Sequence, residues 1–163
     1  MAMALAVPNG HKPKLYLFDT FCGMPEPTDI DGHRAKDTWH KNKTDAGNNF
    51  CRADLADVKR NMASTGYNDG LIDYVQGLVE QTIPDKAPDK IAVARLDTDW
   101  YASTKHLLEN LYPRLQTGGV LIIDDYGAWQ GCRQAVDEYF GNPKLQTIDK
   151  CGRLIIKENK CQH

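Results

Sequence analysis

The sequence lacks several features that mark common functional classes. Its five cysteines include no C-x-x-C pair, so neither a disulfide framework nor a zinc site is indicated. No run of lysine or arginine exceeds two residues and the formal net charge is −2, which argues against binding to the phosphate backbone of nucleic acids. A G-x-x-x-x-G-K-[ST] motif is also missing, which disfavours nucleotide hydrolysis.

Long apolar runs are missing as well. No stretch approaches the roughly 20 residues that cross a bilayer, and no charged region precedes the short Met/Ala/Leu stretch at the N-terminus. We therefore expect a cytoplasmic protein that does not bind membranes. The length of 163 residues and the 41% hydrophobic content predict one globular domain, residues 1–163.

Two acidic clusters follow two apolar runs, which are typical of buried strands. Asp97 follows Val93–Leu96, and Asp124 and Asp125 follow Val120–Ile123. The stretch between them has helical periodicity, which predicts a βαβ unit with parallel strands about 4.8 Å apart. Open α/β folds bind ligands at this sheet edge, where crowded carboxylates raise a pKa or hold a cation such as Mg²⁺, Ca²⁺ or Mn²⁺. A simple helix-capping turn is the alternative.

Other segments complete an α/β pattern. Met1–Val7 has the composition of a helix, which Pro8-Asn9-Gly10 would end, and Lys14–Asp19 is predicted to be a strand. Residues 23–49 are rich in Gly, Pro and Asp, which predicts an irregular lid or active-site loop. The remaining predicted elements are a helix from Asp54 to Gly66, a strand at 73–75, a helix from Leu107 to Leu115 closed by Gly118-Gly119, a helix around Ala135–Phe140, and an antiparallel hairpin of 145–148 and 153–156.

Three motifs occur in order along the chain: F-D-T-F-C-G-M-P-E-P at 18–27, R-L-D-T-D-W-Y-A-S-T at 95–104 and G-G-V-L-I-I-D-D-Y at 118–126. Together they resemble the macrocin O-methyltransferase family, over a match that runs from Met1 to about Ile156. The resemblance implies a Rossmann-like class I methyltransferase fold of the α/β class. It also implies S-adenosylmethionine and Mg²⁺ as cofactors, and methylation of a sugar or related hydroxyl on a glycosylated small-molecule natural product.

The resemblance further implies which residues bind the metal and remove the proton. Asp97, Asp124 and Asp125 match the metal ligands of the family. Asp97 is the first candidate for the catalytic base, and Asp99 is the second. A metal ion would lower the pKa of the hydroxyl that is methylated.

Cofactor contacts are implied at two other strand ends. Asp19 matches the acidic residue that hydrogen-bonds the cofactor ribose, and Thr20 follows it. Gln76 and Gly77 resemble the contacts on the adenine side. A strand-terminating turn is the alternative role for Asp19.

The N-terminus departs from the family pattern, because no strand and glycine-rich turn precede the stretch Met1–Ala6. In the family's strand order, 3-2-1-4-5-7-6, loss of that central strand leaves a gap of about 10 Å. Direct pairing of the two flanking strands or a segment of another chain would close this gap, or it would stay open. Unpaired strand edges favour a homo-oligomer. The alternative function is therefore a catalytically impaired methyltransferase-like fold that binds metal or dimerises.

Overall fold

A computed structural model describes residues 2–6, 13–45, 47–141 and 143–159, and for residues 2–6 it describes the backbone course only. The strands are β1 Ala2–Ala6, β2 Lys14–Asp19, β3 Lys43–Thr44, β4 Gly47–Asn48, β5 Ile72–Gln76, β6 Ile91–Leu96, β7 Leu115–Ile123, β8 Gln146–Thr147 and β9 Arg153–Ile156. The helices are α1 Gly32–Lys41, α2 Leu55–Ser64, α3 Val79–Thr82, α4 Tyr101–Leu111 and α5 Gln130–Phe140, with 3₁₀ turns at Asp29–Asp31 and Asp69–Leu71. None of these helices has the length and apolar character of a membrane span.

Seven strands form the main sheet, in the order β5-β2-β1-β6-β7-β9-β8. With β1 in the first position, this order corresponds to the family order 3-2-1-4-5-7-6, from which the sequence predicts the first strand to be missing. The pairs β2–β5 and β6–β7 are parallel, whereas β9 runs antiparallel to both β7 and β8. The predicted α/β class, the βαβ unit and the C-terminal hairpin are therefore confirmed.

The N-terminal segment differs from its prediction. Ala2–Ala6, predicted to be part of a helix, is strand β1, which lies between β2 and β6 and runs antiparallel to both. Helix propensity is a weak preference, and backbone hydrogen bonds to two neighbouring strands override it. The expected central gap is consequently filled by the chain's own first residues.

The segment 23–49 also differs from its prediction. The composition predicts an irregular segment, but the structure has a 3₁₀ turn, helix α1 and the short β3–β4 hairpin there. Helix α1 packs through Ala35 and Trp39, which are buried and lie four residues apart on one face. Two apolar residues are too few for a periodic signal, so the Gly, Pro and Asp content dominated the prediction.

The core lies between the sheet and helices α4 and α5. Leu107, Leu108 and Leu111 of α4 have no exposed surface. The left-handed conformation of Gly141 ends α5, as predicted. The Gly118-Gly119 pair, predicted to end α4, lies instead within β7, because α4 already stops at Leu111.

Candidate active site

Strands β6 and β7 place the two acidic clusters beside each other. Leu96 is the register partner of Ile123, so Asp97 and Asp124 follow equivalent positions of neighbouring parallel strands. The backbone N–H of Asp124 continues this pairing by donating to the carbonyl oxygen of Leu96 at 2.9 Å. The predicted convergence at the carboxyl edge of the sheet is therefore present.

Three carboxylates form a close group at this edge. Asp97, Asp99 and Asp125 each place one oxygen within 4.8 Å of the oxygens of the other two. Asp99 is buried, and the Oδ2 atom of Asp125 is buried without a hydrogen-bond partner. Carboxylate oxygens this close to one another are the type of donor set that hard divalent cations prefer, so these residues fit Mg²⁺.

The protonation of this group is strongly shifted. Burial, followed by the charge of Asp99, raises the pKa of Asp125 to about 8. Burial likewise raises the pKa of Asp99 to about 6; the hydrogen bond with Asp125 opposes this shift and the charge of Asp97 adds to it. Without a cation, the group therefore retains a proton near neutral pH.

Arg95 compensates part of the negative charge. Its Nη1 donates to Asp97 Oδ2 at 2.5 Å, and its Nη2 lies 2.9 Å from Asp124 Oδ2. Burial lowers the pKa of Arg95, but the two carboxylates outweigh this effect and raise it. Asp124, which the resemblance assigns to the metal, thus faces Arg95 and lies outside the group of three.

One pocket connects the two predicted halves of the site. Its lining includes Asp19, Thr20 and Gly77 from the predicted cofactor half, together with Asp97 and Asp99 from the acidic half. The fold therefore brings the ends of β2, β5 and β6 around a common space. A ligand in this pocket would contact both halves at once.

Backbone and side-chain contacts fix the side of the pocket that is predicted to bind the cofactor. Asp19 Oδ1 accepts a hydrogen bond from the N–H of Phe21 at 2.7 Å, and the Asp19 carbonyl accepts one from the N–H of Gly77 at 2.9 Å. Gln76 is absent from the pocket lining, and its Nε2 donates to the carbonyl of Thr20 at 3.4 Å. The alternative role predicted for Asp19, a residue of a strand-terminating turn, therefore applies to one of its two carboxylate oxygens, Oδ1.

Three non-glycine residues near the pocket have left-handed backbone conformations. They are Phe21 with φ 53°, Cys51 with φ 51° and Asp99 with φ 59°. Cys51 and Asp99 line the pocket, and Phe21 binds Asp19. Such conformations cost free energy and concentrate at functional sites. They give independent support to the position of the site.

Sequence reasoning missed part of the pocket wall. Met24, Pro25 and Cys51, which belong to or follow the 23–49 segment, line the pocket together with Ser103 of α4. The signals in the sequence were the motifs at 18–27 and 95–104, which contain Met24, Pro25 and Ser103, and the prediction of a lid or active-site loop at 23–49. No local pattern shows which residues of such a segment face the site, because tertiary packing decides this.

Comparisons with known proteins agree with this geometry. The family model described as Macrocin-O-methyltransferase (TylF) matches residues 1–153. The 8-demethyl-8-(2,3-dimethoxy-alpha-L-rhamnosyl)-tetracenomycin-C 4'-O-methyltransferase of Streptomyces olivaceus is 37% identical over 85% of this chain and 53% of its own. The demethyldecarbamoylnovobiocin O-methyltransferase of Streptomyces niveus is 33% identical over 85% of this chain and 53% of its own. The chain thus spans about half the length of these curated relatives.

Solved structures show the same fold. The O-methyltransferase NovP superposes with a TM-score of 0.75 at 32% identity, over 88% of this chain and 59% of that one. The calicheamicin methyltransferase CalS11 superposes with a TM-score of 0.67 at 22% identity, over 86% of this chain and 59% of that one.

Proposed function

This chain belongs to the macrocin O-methyltransferase family, and from that premise we propose that it catalyses O-methylation of a sugar or related hydroxyl on a small-molecule natural product. S-adenosylmethionine would supply the methyl group in this reaction. The observation that carries the proposal is the shared pocket, which places Asp19 and Gly77 around the same space as Asp97 and Asp99. Methyl transfer requires the donor and acceptor sites to meet in this way.

The cofactor side of the proposal assigns Asp19 to the ribose. One of its oxygens holds the turn at Phe21, which would fix the direction of the carboxylate. Thr20 and Gly77 complete this wall of the pocket, and Gln76 supports it through the carbonyl of Thr20. In this arrangement the turns after β2 and β5 position the cofactor, while the acidic edge positions the acceptor.

The metal side of the proposal assigns Asp97, Asp124 and Asp125 to Mg²⁺. A bound ion would act as a Lewis acid that makes the acceptor hydroxyl easier to deprotonate. Asp97 and Asp124 already converge on one cationic group, the guanidinium of Arg95, and one oxygen of Asp125 lies within 4.8 Å of an oxygen of Asp97. When the ion binds, Asp124 would therefore leave its ion pair with Arg95 and bind the metal instead.

Asp99 is then the better candidate for the base, ahead of Asp97. Both residues belong to the close group of carboxylates, but Asp97 is also engaged in the ion pair with Arg95. Asp99 lines the pocket and is buried. We therefore rank Asp99 ahead of Asp97, the opposite of the order given by the sequence.

A catalytically impaired fold that binds metal or dimerises is the second candidate. One observation favours it: β1 runs antiparallel to both of its neighbours, and its residue Ala2 lies at the site edge beside Phe18 and Leu96. In that case a homo-oligomer would be the functional form.

Calorimetric titration of S-adenosylhomocysteine into the purified protein, with and without Mg²⁺, distinguishes the two candidates. The proposed methyltransferase gives a dissociation constant in the micromolar range or below. An absence of heat at high protein concentration would contradict it. Light scattering under the same conditions then tests the second candidate, which requires a dimer.

A further inference from the structure

Asp31 is a buried carboxylate at the end of the 3₁₀ turn that precedes α1, with 3% of its surface exposed. Its Oδ2 accepts hydrogen bonds from the N–H and the hydroxyl of Thr28, at 2.8 and 2.9 Å. Its Oδ1 accepts one from the backbone N–H of Tyr101 at 2.7 Å. Burial of a carboxylate is costly unless such donors satisfy it, so this arrangement requires a specific local geometry.

The Oδ1 atom lies against the first turns of two helices. Tyr101 is the first residue of α4, and Gly131 is the second residue of α5. A Cβ atom at Gly131 would lie 1.9 Å from Asp31 Oδ1, so only glycine permits this approach. The amino ends of both helices carry partial positive charge, which favours an anion between them.

Both helices follow the acidic clusters directly. Helix α4 begins two residues after Asp99, and α5 begins five residues after Asp125. A carboxylate that fixes the starts of α4 and α5 therefore also fixes the loops that hold Asp99 and Asp125. The side chain of Asp31 itself reaches neither acidic residue by any hydrogen bond of the described structure.

Two further contacts attach the same segment to the same loops. The indole Nε1 of Trp100 donates to the carbonyl of Pro25 at 2.9 Å, and Nε2 of Gln130 donates to the carbonyl of Ile30 at 3.3 Å. Pro25 lines the pocket. The chain from Pro25 to Asp31 thus connects the pocket wall with both helix starts.

We propose that Asp31 is a positioning residue, which sets the relative placement of Asp99 and Asp125 by capping α4 against the start of α5. The inference rests on the proposed Mg²⁺-assisted function of this site. Asp31 acts through the backbone of the two loops and touches no reacting atom.

The substitution Asp31→Asn tests this role with little change of shape. Both oxygens of Asp31 accept hydrogen bonds, whereas asparagine has one acceptor, so its amide group would face an N–H of Thr28 or Tyr101. Asp29→Asn is the matched control. It makes the same chemical change two residues earlier, on an exposed side chain that pairs with Lys36.

Calorimetric titration with Mg²⁺ is the first measurement. We expect Asp31→Asn to weaken Mg²⁺ binding by about tenfold or more, as substitutions behind metal ligands do, and Asp29→Asn to change it by less than about twofold. Where turnover is measured, Asp31→Asn should lower kcat more than it raises the KM for the cofactor. A role in stability alone would lower the melting temperature without either effect.

Gly131→Ala gives an independent approach from the other helix. Its Cβ would displace Asp31 Oδ1, so it should weaken Mg²⁺ binding by a similar factor. Because both substitutions disrupt one contact, the double variant should bind little more weakly than either single variant. Fully additive losses would contradict the proposal.

Hydrogen exchange of the parent protein keeps the test valid if these variants do not fold. Mg²⁺ should slow exchange of the Tyr101 N–H, which donates to Asp31, more than exchange of the Val58 N–H in α2, which donates to the carbonyl of Asp54. Equal slowing would overturn the proposal. If the parent binds no Mg²⁺, the proposed function fails; if the parent and Asp31→Asn bind it equally, only the positioning role fails.

Discussion

The guanidinium of Arg95 joins Asp124, whose Oδ2 lies 2.9 Å from Nη2, to Asp97, whose Oδ2 lies 2.5 Å from Nη1. The two aspartates follow the parallel neighbours β6 and β7. One arginine therefore holds two carboxylates of the acidic edge together. Its charge partly offsets the repulsion among these two residues and the nearby Asp99 and Asp125.

Removal of this charge should destabilise the metal-free protein. We expect Arg95→Met to lower the free energy of unfolding in EDTA by about 1–2 kcal/mol. The effect is modest because the side chains of Arg95, Asp97 and Asp124 are 28–40% exposed and solvent screens the two ion pairs. Mg²⁺ should then stabilise the variant more than the parent. Urea unfolding with and without Mg²⁺ measures both effects. Arg52→Met, which removes a more exposed pair with Asp54, is the control.

The ligand set and the base can be separated by two isosteric substitutions. Asp124→Asn should weaken Mg²⁺ binding about tenfold or more, because it removes a proposed ligand. Asp99→Asn should keep Mg²⁺ binding within a few-fold but reduce kcat by about a hundredfold or more, as expected for loss of a base. Calorimetry and steady-state kinetics provide the readouts. If Asp99→Asn abolishes Mg²⁺ binding and Asp124→Asn does not, Asp99 is the third ligand.

The convergence of these acidic residues could be predicted from the sequence, but the role of Arg95 was missed. A βαβ unit fixes which strand ends meet, so Asp97 and Asp124 were correctly placed side by side. Arg95 lies two residues before Asp97, a spacing that puts both side chains on the same side of an extended strand. That spacing was the available signal, although it does not show that Arg95 also reaches Asp124.

The errors of the sequence interpretation share one cause, which is that tertiary contacts outweigh local preference. Ala2–Ala6 forms a strand because two neighbouring strands pair with it. Helix α1 forms in a segment rich in turn residues, because Ala35 and Trp39 pack against the rest of the fold. Asp31 shows the same limit, since no local pattern identifies a partner such as Tyr101, 70 residues away.

The raised pKa values of Asp99 and Asp125 predict a pH dependence of stability in EDTA. Both pKa values, about 6 and about 8, lie above the unfolded value of about 3.9. The stabilisation that these two protonated carboxyl groups give the folded state is therefore fully present below about pH 4, and it is lost as pH rises through about 6 and then 8. Asp125→Asn removes the second titration, so it should be more stable than the parent at pH 9 by about 1–3 kcal/mol.

Thermal or urea unfolding of the parent and of Asp125→Asn between pH 5 and pH 9, in EDTA, measures this difference. Only the difference between the two proteins is used, because other carboxylates titrate in both. A constant difference across the range would show that Asp125 is not held protonated in the folded state. In Mg²⁺ the order should reverse, since the variant lacks a proposed ligand.

Strand β1 offers a test of the central sheet. Ala4 pairs with Tyr16 of β2 and with Ala94 of β6, so its backbone lies between two strands. Proline has no N–H and is excluded from central strands. Ala4→Pro should therefore increase hydrogen exchange at the amides of β2 and β6 that face β1, while amides between β6 and β7 keep their protection.

Ala4→Val is the matched control, because a β-branched residue favours a strand and disfavours a helix by about 0.5 kcal/mol or more. We expect Ala4→Val to keep the protection of β2 and β6 that Ala4→Pro removes. If residues 2–6 were instead helical, both substitutions would leave exchange in β2 and β6 unchanged, since neither strand would depend on them. Equal exchange in the parent and in Ala4→Pro would therefore contradict the central position of β1.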